Sequence, residues 1–120
     1  MNYHNHYWVY ILLCQNNTYY TGYTTDLAKR YQSHLNGSGK CKYTRSFKPQ
    51  RIAQCWQVIG TKSLAMKIER QIKRLSRLEK EKLIVRPSKL SDNNQVKTVT
   101  KRCRIQLQQY HCKTNHQYFT

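Results

Sequence analysis

The chain has 120 residues, which is enough for one modest hydrophobic core and too few for two independent domains. It carries 22 Lys and Arg against five Asp and Glu, a formal net charge of +17, whereas solubility requires only about 2–8. The basic residues do not flank a hydrophobic anchor, so a nucleic acid is favoured over an acidic membrane surface as the partner that relieves this self-repulsion.

Composition also sets the compartment and excludes a membrane span. Hydrophobic residues make up 38% of the chain, which indicates a folded domain, and no stretch approaches the ~20 apolar residues that span a bilayer. Residues 1–6 lack the basic and apolar regions of a signal peptide, so we expect a cytoplasmic protein. The five cysteines, an odd number with no C-x-x-C pair, indicate reduced thiols.

The acidic residues limit the metal chemistry of the chain. A two-metal nuclease site needs several converging carboxylates, and such a site is improbable with so few. A metal site would instead use one carboxylate, completed by water and substrate phosphate, which is how Mg²⁺ is commonly held. The candidates are Asp26, Glu69, Glu79, Glu81 and Asp92.

The first elements in chain order form a predicted β-hairpin. Residues 7–14 are apolar and rich in β-formers, residues 19–24 form a second aromatic run, and residues 15–18 between them are typical of a turn. Gly22 lies inside the second strand, where it indicates a bulge or a place where another backbone or a ligand approaches closely.

A helix should follow, with Thr25 or Asp26 as its N-cap. Its apolar stripe is Leu27, Tyr31 and Leu35, and residues 36–37 (Asn-Gly) are a C-cap signal. Residues 38–49 are predicted to form a basic loop with two interleaved aromatic residues.

The remaining elements complete an α+β fold. Residues 52–59 predict a third strand, and a core stripe with a period of three to four residues predicts a helix from residue 64 to residue 75. Ser76 and Glu79 match a capping box, so a third helix should extend to Ile84, and Pro87 ends the pattern. We predict one domain, residues 6–86, with a small mixed or antiparallel three-stranded sheet in the order β-β-α-β-α-α.

The tail at residues 87–120 is basic and polar. It is predicted either to be flexible or to hold a short strand around Cys103, Ile105 and Leu107, which alternate with polar residues. The sequence does not indicate an oligomeric state.

Several polar side chains could share a site. Arg30 and His34 lie four residues apart on the first helix, on a face offset from its apolar stripe. Glu69 follows Ile68 at the margin of the second helical stripe, where a carboxylate can face a cleft beside the core. Taken singly, each has an ordinary explanation, such as a surface ion pair between Glu69 and Lys73.

Taken in order, these residues resemble the GIY-YIG nuclease superfamily. The likeness covers residues 7–84 and is greatest to small stand-alone members, similar to the catalytic domain of bacterial excinuclease. The motifs stand here as Val9-Tyr10-Ile11, Tyr20-Thr21-Gly22, Arg30-x-x-x-His34 and a helical Glu69.

The resemblance implies a phosphodiesterase that uses one divalent metal, Mg²⁺ or Mn²⁺, in DNA repair or processing, with no small-molecule cofactor. It makes Tyr10 and Tyr20 the motif tyrosines, Arg30 the ligand of the scissile phosphate and Glu69 the metal ligand. His34 would belong to the surrounding polar shell and could share a proton relay.

Tyr10 is our preferred general base, with Tyr20 binding the water or the phosphate, although the sequence does not decide between the two. A tyrosine with a pKa of about 10 is a poor base at neutral pH, so we expect Arg30, Lys29 and the metal to lower the pKa of Tyr10. DNA contacts are expected from Lys29, Lys40, Lys42, Tyr43, Arg45, Lys48 and Lys73.

The two tyrosines can act together only if they lie on the same face of the hairpin. A two-residue loop would pair the strands in a register that puts Tyr10 and Tyr20 on opposite faces. A three-residue loop, or one bulge near Gly22, puts them on the same face, and this is the arrangement we predict.

Two alternatives remain at the level of sequence. The charge and the interleaved aromatics also suit a non-catalytic nucleic-acid-binding module on the same fold, which would have no need of Glu69. A ribosome- or RNA-associated basic protein is a weaker third interpretation. For the nuclease, small size suggests modest specificity, with single-stranded or branched DNA favoured as substrate.

Overall fold

Antiparallel strands form a single sheet with helices packed on both of its faces. The computed structural model describes residues 6–38 and 41–90, and residues 96–98 by their backbone alone. The elements are β1 (His6–Cys14), β2 (Tyr19–Thr24), α1 (Leu27–Asn36), α2 (Lys42–Ser46), β3 (Pro49–Ile59), α3 (Lys62–Lys73), α4 (Arg77–Val85), a 3-10 helix (Pro87–Lys89) and β4 (Val96–Thr98). The strand order is β2-β1-β3-β4, and every pairing is antiparallel.

The predicted α+β class is confirmed, with two departures in detail. Residues 42–46, expected to be loop, form the one-turn helix α2, which is too short to show an apolar period. Strand β4 is a fourth strand, and it lies within the predicted tail. It pairs with β3 through the backbone, and so short a segment shows no alternating side-chain pattern from which the strand could be predicted. The alternative strand around residues 103–107 lies outside the described residues.

Strand β1 is the centre of the fold because both of its faces are buried, which explains its continuous apolar sequence. On one face, Val9 and Ile11 pack with residues of α3 and α4. On the other face, Tyr10 and Leu12 pack with α1. The two helical layers therefore lie on opposite faces of the sheet, with β2 as an edge strand between them.

The β1–β2 turn confirms the predicted same-face arrangement of the two tyrosines. The Cys14 N–H donates to the Thr18 carbonyl at 2.9 Å, which leaves a three-residue loop. Asn17 in that loop has φ 63°, a left-handed conformation that Asn tolerates. Tyr20 consequently pairs with Leu12, two residues from Tyr10 on the same face of β1.

Side-chain and glycine caps fix the helices that border the site. Asp26, one of the two predicted N-caps of α1, accepts from the Lys29 N–H, and Gly37 ends the helix at φ 68° as predicted. Thr61 caps α3, and the predicted capping box of Ser76 and Glu79 starts α4.

Three cysteines lie within the described residues. They are Cys14, Cys41 and Cys55, and all three are buried free thiols. In the same part of the chain, every helix is too short or too polar to cross a membrane.

Candidate active site

A polar cleft of about 520 Å³ runs along the edge strand β2, between α1 on one side of the sheet and α3 on the other. It brings together four predicted site residues that are far apart in sequence: Tyr10, Tyr20, Arg30 and Glu69. The other lining residues are Tyr7, Gly22, Tyr23, Thr24, Thr25 and Lys62. His34 lies behind Tyr10 and is fully buried.

Gly22 gives the Tyr10 phenol its position. The two residues are direct partners across the β1–β2 pair, and the Tyr10 ring extends over the bare backbone of Gly22. A Cβ atom at residue 22 would lie 2.6 Å from the Tyr10 hydroxyl and 2.8 Å from its ring carbon Cζ. The β1–β2 pairing has no bulge at this glycine, and the group that approaches it is the side chain of Tyr10, not the backbone or ligand that the sequence suggested.

The Tyr10 hydroxyl belongs to a buried chain of polar groups. It lies 2.8 Å from Nε2 of His34, and Nδ1 of the same ring lies 2.7 Å from the Thr44 hydroxyl. Thr44 in turn donates to the Cys41 carbonyl at 3.3 Å. We call Tyr10, His34 and Thr44 the relay, because adjacent members are within hydrogen-bond distance of one another.

The position of His34 corrects the sequence-based assignment. The residue was expected on a face of α1 offset from the apolar stripe, but the buried residues of this helix are Leu27, Tyr31 and His34 itself. Leu35, the predicted third member of the stripe, is only partly buried. The helix accepts a histidine in its buried face because both ring nitrogens find partners there.

Burial decides the protonation of both rings in the relay. Arg30 lowers the pKa of Tyr10 as expected, but burial raises that pKa by more, so the net direction is upward, and the exposed Lys29 is not among the groups that shift it. For His34, burial and the charge of Arg30 lower the pKa from 6.5 to about 4. At neutral pH, Tyr10 is thus a phenol beside a neutral imidazole that can accept its proton.

Arg30 supplies the positive charge nearest to the relay. Its guanidinium donates to the Tyr10 hydroxyl and lines the cleft. Its Nε atom is buried and has no hydrogen-bond partner within the described part of the chain. An unsatisfied buried donor is costly, so an anionic oxygen that reached it would be favoured.

Glu69 is the acidic group of the cleft. Its side chain is 15% exposed, and its Oε1 lies 3.5 Å from the Lys73 ammonium, one turn further along α3. In residues 6–38 and 41–90, no three His, Cys, Asp or Glu side chains converge on one point. Glu69 is also the one carboxylate among the described residues that line the cleft, so a cation there would have a single carboxylate ligand. This fits Mg²⁺, because the ion keeps several waters and takes up substrate phosphate oxygens.

An aromatic ladder leads from the cleft onto α2. Tyr20 stacks on Tyr43 with the ring centroids 5.8 Å apart, and Tyr43 contacts Phe47 at 5.2 Å. Tyr43 is 38% exposed and Phe47 is 40% exposed, so both rings offer surface to a ligand. The Tyr43 hydroxyl is anchored on the β1–β2 turn by Thr18.

The residues predicted to bind DNA divide into two groups. Lys29, Lys42 and Lys73 are exposed, and Lys73 pairs with Glu69 as its spacing suggests. Two others hold α1 against α2, since Lys48 donates to the Leu35 carbonyl at 2.9 Å and Arg45 donates to the Gly37 carbonyl at 3.0 Å. Their contacts with DNA stay predictions. Lys40 lies outside the described residues.

Sequence reasoning missed Lys62 and assigned no role to Thr44. Lys62 lines the cleft from the first turn of α3, two turns before Glu69 and hence on the same helical face, so its spacing was an available signal. The burial of Thr44 had no such signal, because it depends on how the one-turn helix α2 packs against His34.

The sequence matches a known protein family and several of its members. Residues 6–82 match the family model described as the GIY-YIG catalytic domain. A UPF0213 protein of Halalkalibacterium halodurans is 46% identical over 80 residues, which are 67% of this chain and 82% of that protein.

Two further matches carry the same family name. A UPF0213 protein of Cupriavidus necator is 48% identical over 73 residues, which are 61% of this chain and 77% of that protein. A solution NMR structure of a UPF0213 protein from Bacillus halodurans is 38% identical and covers 72% of this chain and 94% of that chain, with a TM-score of 0.42.

The lowered pKa of His34 predicts a specific dependence of stability on pH. In the unfolded chain the imidazole takes up a proton near pH 6.5, whereas in the folded protein it stays neutral down to about pH 4. The free energy of unfolding should therefore fall as the pH is lowered through this window. Urea unfolding at several pH values measures it.

Replacement by a neutral side chain isolates the contribution of this histidine. His34→Gln should show a smaller loss of stability between about pH 6.5 and pH 5 than the wild type does, because glutamine does not titrate. His6→Gln, at an exposed position, is the matched control and should behave like the wild type. Equal pH dependence in the wild type and His34→Gln would contradict the prediction.

Proposed function

Because the chain belongs to the GIY-YIG catalytic domain family, whose activity is of the nuclease type, we propose that it is a divalent-metal-dependent DNA endonuclease. The observation that carries this proposal is the cleft at β2, where a phenol, an arginine and a carboxylate converge. Hydrolysis of a phosphodiester needs an acceptor for the proton of water, a cation for the phosphate and help for the leaving oxygen. The cleft offers a group for each need.

Tyr10 is proposed as the general base, acting together with His34. A neutral phenol cannot take up a proton and keep its own, so Tyr10 passes its hydroxyl proton to His34 Nε2 as its oxygen accepts the proton of the attacking water. The 2.8 Å separation and the neutral state of His34 support this transfer. Tyr20 lines the cleft without a contact to Nε2 of this kind, so its proposed role is to bind the water or the phosphate.

Arg30 is proposed to bind the scissile phosphate. Its planar guanidinium stays charged at all relevant pH values and presents several donors to phosphate oxygens. One of its donors already fixes the Tyr10 oxygen. Phosphate and base would thus be held by the same side chain, which sets the distance between the attacking water and phosphorus.

Glu69 is proposed as the residue that would hold the divalent cation. The ammonium of Lys73 compensates the negative charge of this carboxylate, and the exposed lysine side chain can move away. Bound Mg²⁺ or Mn²⁺ would supply positive charge against the negative charge that develops on the phosphoryl and leaving oxygens.

Substitution of Glu69 tests the enzyme proposal against a non-catalytic binding module. Glu69→Gln should lower the rate of DNA cleavage in Mg²⁺ by about 10²-fold or more, because a major source of charge stabilisation is lost. DNA binding should remain equal or become tighter, since a negative charge is removed from a cationic surface. Cleavage and binding are measured on the same labelled DNA.

Glu81→Gln is the matched control, because this carboxylate lies on α4 and pairs with Arg77, outside the cleft. It should cleave at the wild-type rate. If wild type and Glu69→Gln digest DNA equally, the activity belongs to a contaminant. The non-catalytic binding module would then replace the endonuclease as the proposed function.

The proposed substrate is DNA with unpaired bases, either single-stranded or branched. The aromatic ladder supports this, because exposed rings beside the cleft can stack on bases only where those bases are free of a partner strand. Lys42 on the same short helix is positioned to contact the backbone of such a strand.

Loss of the outer ring should affect single strands more than duplexes. Phe47→Leu keeps an apolar side chain and removes the stacking surface, so the affinity for single-stranded DNA should fall by about 5- to 100-fold. Affinity for duplex DNA, which depends on phosphate contacts, should change little. Leu78→Ala, at an exposed apolar position of α4, is the control and should alter neither. An equal loss on both substrates would contradict the stacking role.

A further inference from the structure

Thr44 is the member of the relay furthest from the cleft, and it has no contact with the cleft itself. Its side chain is 0% exposed, and its hydroxyl lies between Nδ1 of His34 at 2.7 Å and the Cys41 carbonyl at 3.3 Å. A buried hydroxyl with two polar neighbours must satisfy both with a single hydrogen.

One arrangement of protons makes hydrogen bonds of all three contacts in the relay, namely Tyr10 to His34, His34 to Thr44 and Thr44 to the Cys41 carbonyl. A carbonyl oxygen only accepts, so the Thr44 hydrogen is directed at Cys41. The Thr44 oxygen then accepts a hydrogen bond, and Nδ1 of His34 is the donor. A neutral imidazole has one N–H, so Nε2 is left bare and accepts from the Tyr10 hydroxyl.

We propose that Thr44 is a positioning residue that sets the tautomer of His34 and so directs the Tyr10 proton towards it. In the opposite tautomer, Nε2 would donate to the Tyr10 oxygen, which already accepts from Arg30. Tyr10 would then have no acceptor in the relay for its hydroxyl proton. The catalytic consequence rests on the proposed function, but the tautomer itself does not.

The local fold keeps Thr44 in place. Its helix α2 is held by the Arg45 N–H donating to the Cys41 carbonyl and by the Arg45 side chain donating to the Gly37 carbonyl. Tyr20 packs edge-on against the His34 ring with the centroids 5.1 Å apart. Among the charged and titratable groups that act on His34, Tyr10 and Arg30 lie on the cleft side and neither fixes the hydrogen on Nδ1.

The test is heteronuclear NMR of the full chain labelled in the ring nitrogens of histidine, at about pH 7. In the wild type we expect His34 to show a protonated Nδ1 and a bare Nε2, which have well-separated shifts. Thr44→Ser, which keeps the hydroxyl, should give the same pattern. Thr44→Val, of the same shape without the hydroxyl, should show Nε2 wholly or partly protonated.

Several results would overturn the assignment. They are a protonated Nε2 in the wild type or in Thr44→Ser, and an unchanged tautomer in a folded Thr44→Val. If Thr44→Val does not fold, the wild type and Thr44→Ser decide the question by themselves. These spectra require no nuclease activity, so a failure of the proposed function and a failure of this inference are distinguishable.

Kinetics give the second readout. Thr44→Val should lower kcat for DNA cleavage by about 10²-fold or more with KM little changed, because the proton acceptor behind Tyr10 is lost while phosphate binding is not. Thr44→Ser should restore most of the rate. A purely structural role would instead lower the unfolding midpoint of both variants and leave kcat of the folded fraction unchanged, and this outcome would overturn the inference.

Discussion

The hydrogen bond between the Tyr10 hydroxyl and His34 Nε2 is the interaction on which the site depends. It requires the three-residue turn that puts Tyr10 and Tyr20 on one face of the hairpin, and it requires a glycine at residue 22 to leave space for the phenol. It also requires α1 to bury a histidine that a solvated helix face would leave exposed. The register of the hairpin, the glycine at residue 22 and the burial of His34 on α1 are thus all needed for this one contact. The cleft lies beside it.

Burial gives this contact its chemical character. The raised pKa of Tyr10 and the lowered pKa of His34 have the same first cause, loss of water around each ring, so both groups are neutral at physiological pH. In the relay, the Tyr10 phenol gives its proton to the bare Nε2 of His34 while its oxygen takes the proton of the attacking water, so no free phenolate has to form first. The charged groups, Arg30 and Glu69, lie where phosphate and cation would enter, and this separates proton transfer from charge neutralisation within one small cleft.

The sequence predicted the members of the site better than their surroundings. Motif order identified Tyr10, Tyr20, Arg30 and Glu69, and the structure brings them to one cleft, because strand alternation and helical period are local rules that fix which side a residue faces. The burial of His34 and the effect on the pKa of Tyr10 escaped prediction because both depend on packing between α1, α2 and the sheet. Packing between separate elements leaves no periodic pattern of residues in a single sequence, so it could not be predicted here.

The central claim is that the Tyr10 hydroxyl carries the proton of the attacking water. Tyr10→Phe tests it most directly, since phenylalanine fills the same space over Gly22 and lacks only the oxygen. We expect cleavage of single-stranded DNA in Mg²⁺ to fall by about 10²- to 10⁴-fold, with DNA affinity close to that of the wild type. The melting temperature should fall, because Nε2 of the buried His34 loses its partner, but the protein should remain folded in the assay. A Tyr10→Phe protein that cleaves at the wild-type rate would contradict the account.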